Sequence, residues 1–325
     1  MKKHIYKTSI KRERGELACS AGCGKSGVSK WLNLLLLSLS VFFMTGCSSD
    51  EPDYDISVIT IGNTEKTEFD EWLEANFVKP YNIIFKYRYE DLESDNNFYV
   101  VPSRYDDAVK LAHLVKYLCI DTYSEVAGVD FIREYFPKMF FTIGEWEYQN
   151  NGTMILGTAE GGKKILLAGT NYLNTYLSSP QALNTFYLKT IHHEFTHILN
   201  QTKPIPNEFQ LVTGNGYVAD NWSEDPYNTT YLDNGFISDY AQKEYTEDFA
   251  EMMSIYITND AETWDAMLAE ATDESADLIR QKLDIVKNYM VTSFGIDLDN
   301  LRKVLQRRQN EVFAGKVNLD DLTVN

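Results

Sequence analysis

From residue 55 onward, apolar positions recur every second residue in some stretches and every third or fourth in others. That alternation divides the chain into elements. Asp55–Ile61 is apolar and β-branched and predicts a strand. Thr64 is placed to cap a helix through Phe69, Trp72, Leu73 and Phe77, which Pro80 should end. Ile83, Phe85, Tyr87 and Tyr89 alternate with Ile84, Lys86 and Arg88, the pattern of a half-buried strand. A helix from about Tyr105 to Ile120 puts Val109, Ala112, Val115 and Cys119 on one face. Three β segments follow, at Met139–Trp146, Thr153–Thr158 and Lys163–Ala168, with tight reversals at Asn151-Gly152 and Gly161-Gly162.

Beyond Pro180 the period turns helical through His197. Residues 204–235 are rich in Gly, Pro, Asn and aromatics and read as irregular. Helices at about Glu244–Ile257, Ser275–Val291 and Leu298–Val312 close the chain. This order is α+β: an antiparallel or mixed sheet, a central helix, then a C-terminal helical subdomain. No repeat or long linker divides it, so residues 55–325 are expected to form one domain.

The N-terminal pattern is different. Trp31 to Met44 is an apolar run preceded by Lys25 and Lys30 and too short to span a bilayer comfortably. It ends in Met44-Thr45-Gly46-Cys47, which is similar to a bacterial lipobox. Residues 1–46 are therefore expected to be a lipoprotein signal peptide and Cys47 the acylated residue. Residues 47–54, with Asp50, Glu51 and Asp53, would form an acidic tether, and the protein would sit as a lipoprotein on the outer membrane, facing the periplasm or the cell surface.

Charge sharpens this division. Residues 1–46 carry eight Lys or Arg against Glu13 and Glu16, so the remaining chain holds 22 basic and 46 acidic residues, a charge of −24. So acidic a body repels phosphates and excludes nucleic acid as a partner. Of four cysteines, removal of the leader leaves Cys47 and Cys119, too few for a disulfide framework.

The chemistry concentrates at His193-Glu194-Phe195-Thr196-His197. Histidines four apart on a helix share one face and can reach a common metal, and zinc favours neutral imidazole with one position open to water. Glu194, beside the first histidine, is placed to take a proton from the attacking water and deliver it to a leaving amine. Ile191, Phe195 and Leu199 would hold the opposite face to the core.

Only five histidines are present, which narrows the third ligand. His4 is in the leader, His113 reads as a partly exposed helical residue, and His192 points about a hundred degrees from His193. A metzincin would need Gly at position 200 and His at 203, where Asn200 and Lys203 stand. A carboxylate is therefore expected. Glu247 and Glu251 share a helix face around Ala250 in Glu247-Asp248-Phe249-Ala250-Glu251-Met252. Two buried carboxylates one turn apart repel unless one binds metal and the other accepts from a ligand imidazole. Glu247 is thus the expected ligand and Glu251 the supporting group on His193, with Asp248 as the spare.

His193-Glu194-x-x-His197 followed by Glu247-x-Phe249-Ala250-Glu251 resembles the gluzincin pattern, and its Phe-Ala-Glu ending resembles the lethal-factor-like enzymes. The resemblance implies a zincin-like fold and an oxyanion-stabilising role for Tyr240, with Tyr217 and Tyr245 as rivals. From Cys47 onward the layout is also similar to the substrate import-associated zinc metallohydrolase lipoproteins of Bacteroidetes. That likeness implies an outer-membrane importer as a partner. The expectation is zinc-dependent hydrolysis of peptide bonds at the cell envelope, with Lys163–Ala168 offering a sheet edge to an extended peptide. The rival is a surface lipoprotein that binds a substrate for import, its zinc site structural or vestigial.

Overall fold

The computed structural model describes residues 65–95, 97–148 and 154–324. The expected strand at Asp55–Ile61, the reversal at Asn151-Gly152, the leader, Cys47 and the tether lie outside them.

Helix α1 (residues 68–81) starts at Thr67, not Thr64. Thr67 Oγ1 accepts from Asp70 N–H (3.2 Å), and Thr67 N–H donates to Asp70 Oδ2 (2.8 Å), a reciprocal cap. Phe69, Trp72 and Phe77 are buried as expected. Pro80 rides in the last turn, and left-handed Asn82 ends the helix. Strand β1 (Ile84–Lys86) alternates as predicted, Phe85 buried and Ile84 exposed.

Helix α2 (residues 105–127) buries Val109, Ala112, Val115 and Cys119. Its His113 is a correction: it is buried, stacked on Trp72 at 4.0 Å, with both ring nitrogens 2.9 Å from the carbonyl oxygens of Val109 and Asp321. Burial raises the Cys119 thiol pKa, so the group is inert packing.

After helix α3 (Val129–Tyr135) come β2 (Met139–Thr142), a two-stranded ribbon of β3 (Glu147–Tyr148) and β4 (Met154–Ile155), then β5 (Gly157–Glu160) and β6 (Lys164–Leu167). The sheet runs β1-β2-β6-β5. It is mixed: β1, β2 and β6 are parallel, and only β5 runs against β6. Helices α2 and α3 cross over between β1 and β2, which imposes the parallel sense. The unbroken apolar runs Met139-Phe140-Phe141 and Ile165-Leu166-Leu167 fit strands buried on both faces. Because β6 is flanked by β2 and β5, it offers no edge. The free edge next to the motif helix is β5, joined to β6 by Gly161 and Gly162, both at positive φ as their reversal requires.

Helix α4 (residues 180–202) carries the histidine motif across β5 and β6. Ile191, Phe195 and Leu199 are fully buried, and Phe195 packs on Phe136 (4.6 Å) and Tyr123 (5.1 Å). Short helix α5 (Asn207–Thr213) and single turns make up most of the irregular segment. Then come α6 (Tyr245–Thr258), α7 (Ala261–Ala269), α8 (Asp273–Phe294) and α9 (Leu298–Phe313). The pattern missed α7, although Asp260 caps it and Trp264 and Leu268 bury one face. Among the described residues no helix is long and apolar enough to cross a membrane.

Candidate metal centre

Helices α4 and α6 pack face to face, with Ala250, buried and without a bulky side chain, between Glu247 and Glu251. That closeness brings three atoms to one point. His193 Nε2 lies 3.1 Å from His197 Nε2 and 3.1 Å from Glu247 Oε2, and His197 Nε2 lies 2.9 Å from the same oxygen. His193, His197 and Glu247 are a group whose ligand atoms could hold one metal ion.

The second carboxylate approaches from behind. Glu251 Oε1 lies 2.8 Å from His193 Nδ1. Its other oxygen accepts from Ser238 Oγ (2.6 Å) and Lys189 Nζ (3.1 Å). With a carboxylate at Nδ1, the proton of a neutral His193 sits on that nitrogen and Nε2 turns a lone pair to the centre. Two imidazole lone pairs and a carboxylate oxygen at such distances repel unless a cation joins them. The donor set N, N, O suits zinc, with a fourth position for water.

The electrostatics reflect the same demand. Burial works against Glu247 ionising, yet hydrogen bonds from His193 and His197 hold its carboxyl well below the usual range. Glu251 is likewise held down, against burial, by Lys189 and His193. Burial lowers His193, but Glu247 and Glu251 outweigh it and raise the imidazole to about 9. Without metal a proton supplies the missing positive charge. His192 on the same helix is pushed down to about 3 by burial, faces the Tyr123 hydroxyl (3.2 Å) and takes no part.

Glu194 is buried, and the Ala159 N–H of β5 donates to its Oε2 (2.8 Å). Ala168 N–H bonds Leu156 O, so in the alternating antiparallel register Thr158 faces β6 while Gly157 and Ala159 face the open edge. Gly157 is required there, because a Cβ would stand 2.7 Å from Thr190 Cγ2 and 2.6 Å from Leu166 O.

Tyr240 joins the cluster, its ring 5.8 Å from that of His193 and edge-on to Trp222 at 5.0 Å. Burial and the charges of Glu247 and Glu194 raise its pKa, so its hydroxyl keeps its proton. Tyr217 instead donates to Asp248 Oδ2 (3.0 Å), and Tyr245 is half-buried on the first turn of α6. Asp248 points away from the centre, fully buried on Lys282 Nζ at 2.6 Å. Lys189, Ser238, Ala159 and Lys243 are what sequence reasoning missed. A lysine four residues before His193, on the same helical face, was the one readable signal.

An α+β chain that sets two histidines and a glutamate around one point has the ligand set of a metal-binding protein. Residues 62–299 match the family described as "putative zinc-binding metallo-peptidase", and the chain belongs to that family. The crystal structure of a "putative zinc-binding metallo-peptidase" from Bacteroides caccae is similar, with a TM-score of 0.68 and 38% identity over 82% of this chain and 100% of that one. Among curated proteins no match is found.

Proposed function

We propose that this protein is a zinc peptidase of gluzincin type, with His193, His197 and Glu247 as ligands and Glu194 as general base and acid. The observation that carries the reading is the meeting of the two Nε2 atoms and Glu247 Oε2 within 3.1 Å, with Glu194 buried beside them. Zinc, when bound, supplies Lewis-acid activation of water and of the amide carbonyl.

The rest is done by the chain. An extended peptide pairs with the outward-facing groups of Gly157 and the Ala159 carbonyl on β5. Glu194 takes a proton from the attacking water and passes it to the departing amine nitrogen. The Tyr240 hydroxyl donates to the carbonyl oxygen as it gains charge. Glu251, held by Ser238 and Lys189, keeps His193 in the tautomer that frees Nε2. A structural or vestigial zinc site in a substrate-binding lipoprotein has no need of a carboxylate at position 194, which favours hydrolysis over that rival.

Elemental analysis of protein purified without chelator or added metal should give about one zinc per chain. Glu194→Gln should retain that zinc and lose about a thousandfold or more in peptide turnover. Near-normal turnover in the variant would sink the mechanism. We also propose, from the leader sequence and its resemblance alone, that Cys47 is lipidated and that the enzyme works at the envelope beside an outer-membrane importer. Failure of Cys47 to take up a labelled fatty acid in cells would refute the anchor.

A further inference from the structure

Segment 204–244 borders the metal centre and contains seven acidic residues but a single basic one, Lys243. Two backbone bonds hold its place: Ala219 N–H donates to Lys243 O (3.1 Å), and Lys243 N–H donates to Tyr240 O (3.1 Å). Its side chain is only 15% exposed, and its ammonium lies 3.5 Å from Glu247 Oε1 and 5.3 Å over the face of Tyr240. At 3.5 Å the carboxylate contact is longer than a hydrogen bond. An ammonium has three donors, and among the described residues Lys243 Nζ donates to no other acceptor.

The site's other lysine is differently placed. Lys189 Nζ approaches both oxygens of Glu251, at 3.1 and 3.2 Å, and that pair is closed. Lys282 is paired as well, its Nζ 2.6 Å from Asp248 Oδ2. Lys243 faces a carboxylate whose other oxygen is engaged by two imidazoles, so the negative charge available to it is shared. With a divalent metal on His193, His197 and Glu247, the open side of the centre gathers two metal charges and Lys243 against Glu247 and Glu194. One positive charge remains. A largely buried cation without a full counter-charge is costly, and an incoming anion relieves it.

From this we infer that Lys243 binds a carboxylate of the substrate beside the scissile amide, so that the enzyme prefers bonds flanked by a free C-terminus or by an aspartate or glutamate side chain. The inference rests on the zinc-peptidase reading and adds the substrate class. Lys243 recognises the substrate here, and Glu194 remains the proton carrier.

The test is calorimetric binding to the zinc-loaded protein of three hydroxamate dipeptide mimics that differ at one end. The first ends in a free alanine carboxylate, the second in alaninamide, the third in aspartate amide. A carboxylate compound should bind about tenfold or more tightly than the alaninamide, as a charge-assisted hydrogen bond provides. Whether the first or the third gains tells terminus from side chain. In Lys243→Met, and in Lys243→Gln should the first variant not fold, the ratio should fall to about one. Lys243→Arg should keep it above one. A ratio near one in the unaltered protein, or one that survives loss of the ammonium, overturns the inference. If the protein takes up no zinc and binds none of the three, the metal-centre reading fails first and this one with it.

Discussion

Glu251 touches no atom at the point where the three candidate ligand atoms meet, and its Oε1 lies 2.8 Å from His193 Nδ1 on the other side of the ring, where a carboxylate that orients a ligand imidazole would stand. Its loss should therefore be read in metal affinity. Glu251→Gln, which can still accept at Nδ1 but no longer pairs with Lys189, should weaken zinc binding about 10- to 100-fold in a chelator competition. Unchanged affinity would show that the contact is incidental. The same residues set the pH response without metal. His193 has its pKa raised to about 9 in the fold against 6.5 for a free imidazole, so the folded state binds the proton more tightly. That stabilisation is full below pH 6.5 and is lost as pH rises through 9. The thermal midpoint of chelated protein should accordingly fall across that window, and a flat profile would contradict the assignment.

At the scale of elements, the centre depends on α6 being held from both sides. One side is α4. The other is α8, which sends Lys282 to Asp248 in a place where both side chains are fully buried. Lys282 Nζ also donates to Gly235 O (3.0 Å) and sits 3.9 Å over Phe236, tying the irregular segment to the same point. Burial raises Asp248 and lowers Lys282, each opposed by its partner. Removing one member strands the other. Lys282→Met should destabilise the protein by about 3–5 kcal/mol in denaturant unfolding, and adding Asp248→Asn should restore part of it. A loss in the double variant equal to the sum of the two single-variant losses would mean the pair is not coupled. The edge strand β5 is the other positioning element, since it gives Glu194 its hydrogen-bond donor.

For the whole molecule, the candidate metal centre lies between parts far apart in sequence: α4, the irregular segment and α6, with the edge strand β5 beside them. A metal that binds only the folded arrangement adds stability by mass action. At a thousandfold excess of free zinc over its dissociation constant the gain is about 4 kcal/mol. Stripping the metal with a chelator should lower the unfolding midpoint, and returning zinc should restore it. No shift would mean that the fold does not hold zinc in its native state.

The sequence alone was enough for the histidine pair on one helical face, the glutamate beside it and the search for a carboxylate downstream, because a 3.6-residue period and a count of five histidines constrain those choices. Periodicity was equally sufficient for the buried faces of α2, α4 and α6. What it could not reach are relations between segments. Strand sense depends on how a connection crosses over, so of the antiparallel and mixed sheets the pattern allowed only the tertiary structure selects the mixed one, and it places the free edge at β5 where β6 was expected to offer it. The partners Lys189 for Glu251, Ala159 for Glu194, Lys243 for Glu247 and Lys282 for Asp248 are set by packing and backbone direction. Local propensity carries no record of which buried charge a distant chain segment will bring to meet another; only the tertiary structure decides that.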